Sequence, residues 1–98
     1  MVTIQASRQK IIVKGHADYS EYGTDIVCAG VSTLLISHYN LMTRFMPKSN
    51  FDCKALEGDF RLTIKKVTSE IENIMDNLID SLEELSMSYP KNIKIERK

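Results

Sequence analysis

Val2, Ile4 and Ala6 alternate with Thr3, Gln5 and Ser7, and Ile11-Ile12-Val13 follows after Arg8-Gln9-Lys10. A period of two marks a half-buried strand, so this opening predicts a short antiparallel hairpin that ends at Gly15. Residues 17–24 combine Gly, Ser, Thr, Asp and two tyrosines with no apolar period, and read as a loop. From Ile26 to Phe45 the positions Val27, Val31, Leu34, Leu35, His38, Leu41, Met42 and Phe45 recur at steps of three and four, the period of an amphipathic helix. Pro47 limits its end. Phe51, Cys53 and Ala55 alternate with Asp52 and Lys54, Gly58-Asp59 offers a turn, and Leu62 and Ile64 continue an alternating run, which predicts a second hairpin.

The cleanest helical stripe is Ile71, Ile74, Met75, Leu78, Ile79, Leu82 and Leu85, with Glu70, Glu72, Asp76, Asp80, Glu83 and Glu84 opposite. Thr68 or Ser69 is placed to cap it. Pro90 stops that helix, and Asn92 to Glu96 alternates as a final strand. The order is ββαββαβ. Two one-faced helices need an apolar layer, which a mainly antiparallel sheet with one buried face supplies. The expectation is an α+β sandwich forming a single domain over residues 1–98, with both helices packed on one face of the sheet.

Composition narrows the classes of function. The 98 residues carry 13 basic and 13 acidic side chains, so no whole-molecule field draws the chain to nucleic acid or to an anionic membrane. No window approaches the roughly 18 to 20 uncharged apolar residues of a membrane span. The first five residues lack the basic start and apolar core of a secretory signal, which favours an intracellular location. Two cysteines in unrelated surroundings do not make a disulfide framework, and in a reducing cytosol both are thiols.

Chemistry concentrates where the first hairpin gives way to the first helix, at His16 and Cys28. With Asp25 as N-cap, Cys28 falls at N3, where unpaired backbone N–H groups and the helix dipole favour thiolate over thiol. A loop of this length can fold His16 back beside the sulfur as its base. His38 is excluded as the base, since ten residues of helix set it roughly 15 Å from Cys28 along the axis. It reads as a core-edge histidine at the helix–sheet interface. Asp25 has two readings, a helix cap or a third group orienting the imidazole; the cap is preferred, because a carboxylate near sulfur opposes thiolate formation. Ser32, one turn after Cys28, lies on the same face. Cys53 reads as core filler on its strand. A zinc site from His16, Cys28, His38 and Cys53 fails the spacing of known zinc modules, so neither metal nor cofactor is expected. The basic tail from Lys91 to Lys98 reads as a solvated edge strand.

Gly15-His16-Ala17, Gly23, Asp25-Ile26-Val27-Cys28-Ala29 and Ser32 together resemble the signature of the bacterial ribosomal-processing cysteine protease family, Prp. The chain length and the ββαββαβ order are similar to that family as well. The resemblance implies a cytoplasmic endopeptidase that removes the N-terminal extension of a large-subunit ribosomal protein during ribosome assembly. It further implies Cys28 as nucleophile, His16 as base, a homodimer, and a short substrate segment with aromatic residues before the scissile bond. The stretch Ala17–Thr24, with Tyr19, Tyr22 and Gly23, is then a candidate lid over an extended peptide, or else a surface connector. Two other readings compete: a non-catalytic ribosome-associated or dimerisation module in which Cys28 and His16 merely pack, and a redox-sensing thiol protein, disfavoured by the lack of a resolving cysteine nearby in sequence.

Overall fold

Alternation along the chain is realised as five strands of one sheet in the order β3-β4-β2-β1-β5. The computed structural model describes residues 1–15, 26–56 and 58–98. Strands β1 (Val2–Ala6) and β2 (Lys10–Lys14) form the first hairpin, and β3 (Phe51–Leu56) and β4 (Asp59–Ile64) the second. The hairpins join through the antiparallel β2–β4 pair, and β5 (Ile93–Arg97) runs parallel to β1. The order ββαββαβ is therefore observed, with a sheet that is antiparallel except at β5.

Register decides which side is covered. Ile4 lies opposite Val13 and Ile95, and Ile11 opposite Leu62. Val2, Ile4, Ala6, Ile11, Val13, Leu62, Ile64 and Ile93 are buried, while the intervening Thr3, Lys10, Lys14, Arg61 and Lys94 are exposed. The buried face takes both helices, α1 (Ile26–Met42) and α2 (Ser69–Ser88). Helix α2 buries Ile71, Ile74, Met75, Leu78, Ile79 and Leu82 of the predicted stripe, with Leu85 half-buried at its end, and turns its acidic side towards solvent. Thr68 is its N-cap, its hydroxyl accepting from the Ile71 N–H at 3.3 Å.

Helix α1 ends three residues before the predicted Phe45. Arg44 and Phe45 donate to the carbonyls of Leu41 and Met42, three residues back, so the last turn tightens as the chain approaches Pro47. A residue preceding proline is disfavoured in the α region, and the helix unwinds ahead of it. Phe45 is left exposed. The chain then turns through Lys48–Asn50 into β3. Buried Asn50 fixes that turn: its side chain donates to the Lys66 carbonyl and accepts from the Lys66 N–H, both at 2.9 Å.

Cys53 is exposed, contrary to the reading of it as core. It does share the inner face with Phe51, as alternation requires, and lies opposite Leu62. But β3 is an edge strand, and the helices cover it only at Phe51; from Asp52 to Leu56 every residue is exposed. The other edge is better guarded, because Arg97 on β5 pairs with Glu83 at 3.0 Å and Asp80 at 3.5 Å on α2.

Candidate active site

Helix α1 carries no charged residue along its 17 positions. Val27, Val31, Leu35 and Met42 are its buried residues. Cys28, Ser32 and Ile36 follow one another at steps of four, so they stand one above the next along a single face. That face is only partly buried. It walls a cavity of about 290 Å³ between α1 and the β3–β4 hairpin.

Val2, Val13 and Phe60 of the sheet line this cavity from below, Val31 and Leu35 stand behind its helical wall, and Ala55, Leu56, Gly58 and Asp59 form the hairpin side. Cys28, half-buried, stands in the first turn of α1 at one end. One turn beyond Leu35 on α1, Tyr39 packs edge-on against Phe51 with ring centroids 5.7 Å apart, bridging α1 to β3. Ile36 and Leu56, 57% and 60% exposed, also line the cavity.

Gly15 brings the end of β2 to the same cavity. It has φ +96°, a left-handed conformation that L side chains rarely adopt, and an added Cβ would run into the Met1 carbonyl oxygen. Its N–H donates to the Gly58 carbonyl at 2.9 Å, tying the β2 end to the β3–β4 turn. His16, Tyr19, Tyr22, Gly23 and Asp25 lie outside the described residues.

The structure brings Cys28 and Ser32 together in one cavity and sets His38 apart from it. His38 faces α2 rather than the sheet, correcting the predicted helix–sheet placement: Nδ1 lies 2.7 Å from the Leu34 carbonyl and Nε2 lies 2.8 Å from Asn77 Oδ1. A polar ring fits this helix–helix seam because both nitrogens lie within hydrogen-bond distance of polar atoms there. Among the described residues, no three His, Cys, Asp or Glu side chains group to hold a metal. Although Cys53 is exposed, partial desolvation of its sulfur, and secondarily the Asp52 carboxylate, pushes its thiol pKa up, making it less nucleophilic at neutral pH than an ordinary thiol.

Sequence reasoning missed Ile36 and Leu56. The signal was present, since Ile36 falls outside the buried series of α1 and Leu56 outside the inward alternation of β3. A large apolar residue out of phase with its element is a candidate for a surface groove.

The family model described as Cysteine protease Prp matches residues 1–94. The ribosomal processing cysteine protease Prp of Staphylococcus aureus is 34% identical over 92 residues, covering 90% of this chain and 85% of that protein. The protein of the same name from Mycoplasma genitalium is 29% identical over 96 residues, covering 97% and 94%. A crystal structure of the essential ribosomal processing protease Prp from S. aureus, in complex with a covalently linked product peptide, superposes with a TM-score of 0.86 at 28% identity and full coverage of both chains. The present chain belongs to the Prp family and is a cysteine protease.

Proposed function

We propose that this protein cleaves the N-terminal extension from a large-subunit ribosomal protein, with Cys28 as nucleophile and His16 as base. The observation that carries the reading is that Cys28 and Gly15, the residue preceding His16, line one apolar cavity. The relative in S. aureus, a ribosomal processing protease, holds a product peptide covalently, which is the chemistry a thiol nucleophile performs.

In this mechanism His16 takes the thiol proton and the Cys28 sulfur attacks the scissile carbonyl carbon. The first backbone N–H groups of α1 stabilise the oxyanion of the tetrahedral intermediate. That intermediate collapses with cleavage of the C–N bond as His16 protonates the departing amine, leaving the N-terminal segment as a thioester on sulfur. Water, deprotonated by His16, then releases the acid and restores the thiol. The proposed setting is the cytoplasm, the proposed assembly a homodimer, and the stretch containing Tyr19, Tyr22 and Gly23 closes over the peptide, with Ser32 beside it and Asp25 capping α1.

Incubation with a ribosomal protein carrying its extension tests the reading. Wild type releases the extension, while Cys28→Ala and His16→Ala each lose about 10³-fold or more in rate with the fold intact by circular dichroism. Cleavage at wild-type rate by Cys28→Ala would overturn it.

A further inference from the structure

We infer that the outer face of the sheet, turned away from both helices, binds duplex RNA through its phosphate backbone. Equal totals of acid and base conceal a segregation of charge. Helix α2 carries Glu70, Glu72, Asp76, Asp80, Glu83 and Glu84 and no basic residue. The alternation that buries Ile4, Ile11, Val13, Leu62 and Ile93 turns Lys10, Lys14, Lys54, Arg61 and Lys94 outward on the opposite side, and Lys98 joins them past the end of β5. These cations outnumber the carboxylates of Asp52, Asp59 and Glu96 on the same face. Asp59 is taken up by Arg61 at 3.1 Å, whereas the five lysines form no ion pair with another described residue.

Register sets the cations in pairs. Lys14 and Lys94 flank Thr3 on the two neighbouring strands, roughly 10 Å apart. Lys54 and Arg61 are direct cross-strand partners, a like-charged pairing that costs stability and that an anion lying over it would relieve. Lys10 and Lys98 line a shallow depression of about 190 Å³ with Gln5 and Ile12. The chemistry of the face selects its occupant. A protein interface is anchored by aromatic or other large side chains, and a membrane takes up apolar ones; among the described outward strand positions there is no aromatic ring, and the large apolar residues are Ile12 and Leu56. The same lack of rings leaves unpaired bases nothing to stack on. A stiff polyanion held by charge fits what remains. A broad sheet face does not enter the major groove of DNA as a helix or a two-stranded ribbon does, but it can lie over the wide, shallow minor groove of A-form RNA. There Thr3 and Gln5 can meet 2′-hydroxyls while the lysines reach the flanking phosphates.

The test is fluorescence anisotropy with a labelled mixed-sequence RNA duplex of about 20 base pairs, beside a DNA duplex and a single-stranded RNA of the same length. Wild type is expected to bind the RNA duplex at least about tenfold more tightly than either, and to lose about 30-fold or more in affinity between roughly 50 and 200 mM salt, as release of counterions from three or four phosphates requires. Lys14→Gln with Lys94→Gln is expected to weaken binding about tenfold or more and to lower the salt slope by about two, with an unchanged melting temperature. Arg44→Gln with Lys48→Gln, the same loss of charge between α1 and β3, is expected to weaken it less than about threefold. No binding of the RNA duplex at the lower salt, equal losses in the two double variants, or binding of DNA or single-stranded RNA as tight as that of the RNA duplex overturns the inference. So does salt-sensitive self-association in sedimentation without RNA binding, which would assign the face to the acidic α2 of a second copy.

Discussion

Gly15 holds φ +96° beneath the Met1 carbonyl, so Gly15→Ala places a methyl group against backbone that cannot step aside. Strain of this kind costs roughly 1–3 kcal/mol, and a melting temperature several degrees below wild type is the expected outcome of thermal denaturation. Partial desolvation of the Cys53 sulfur and the neighbouring Asp52 charge both disfavour its thiolate. With the thiol pKa raised, the reactive fraction at neutral pH falls, so alkylation of Cys53 by iodoacetamide is expected to be slow at pH 7 and to climb above the ordinary thiol range near pH 8.5. Asp52→Asn removes one of the two causes and is expected to accelerate that labelling. At this scale sequence reasoning misjudged Cys53. Alternation assigns a side chain to a face of the sheet; it does not say whether a helix lies over that part of the face, and for an edge strand such as β3 the answer is tertiary.

Helices and strands are held by a few replaceable contacts. Leu82 is fully buried on α2, and Leu82→Ala is expected to cost about 2–5 kcal/mol in chemical denaturation, a large share of what a domain of this size possesses. Asn50→Ala leaves the Lys66 N–H and carbonyl without their side-chain partner and is expected to cost roughly 1–3 kcal/mol, whereas exposed Arg97→Ala should cost under about 1 kcal/mol. At the start of α2 the Glu70 carboxyl is held below its usual range by its own backbone N–H and then by the Ser69 hydroxyl. A carboxylate with a depressed folded-state pKa contributes stability above its unfolded value, near pH 4.3, and loses it as pH falls through the lower folded value. Acid titration of Glu70→Gln should therefore show a smaller loss of stability over that window than wild type. The α2 stripe was fully legible because seven apolar positions and their acidic complement share one period. The end of α1 and the seam occupied by His38 were not, since Leu41 and Phe45 continue the helical period while Pro47 unwinds the backbone, and helix–helix contact leaves no periodic trace distinct from helix–sheet contact.

Across the whole molecule, the site arises from a mismatch in coverage. Two helices span a five-stranded sheet but leave edge strand β3 exposed beyond Phe51, and an apolar cavity that Cys28 lines lies between its hairpin and α1. The element order could be read along the chain, but the strand order β3-β4-β2-β1-β5 could not, because pairing of β2 with β4 and β5 with β1 depends on contacts between residues some 50 and 90 positions apart. Hence the sequence offered Cys28 as a candidate nucleophile but not the cavity it lines. If peptide cleavage passes through the Cys28 sulfur, an acid-quenched single turnover of the ribosomal extension followed by peptide mapping captures it there. The N-terminal product segment is predicted as a thioester mass on the fragment containing Cys28, absent from Cys28→Ala, which also fails to cleave. An adduct mapped to any other residue, or undiminished cleavage by Cys28→Ala, would contradict it.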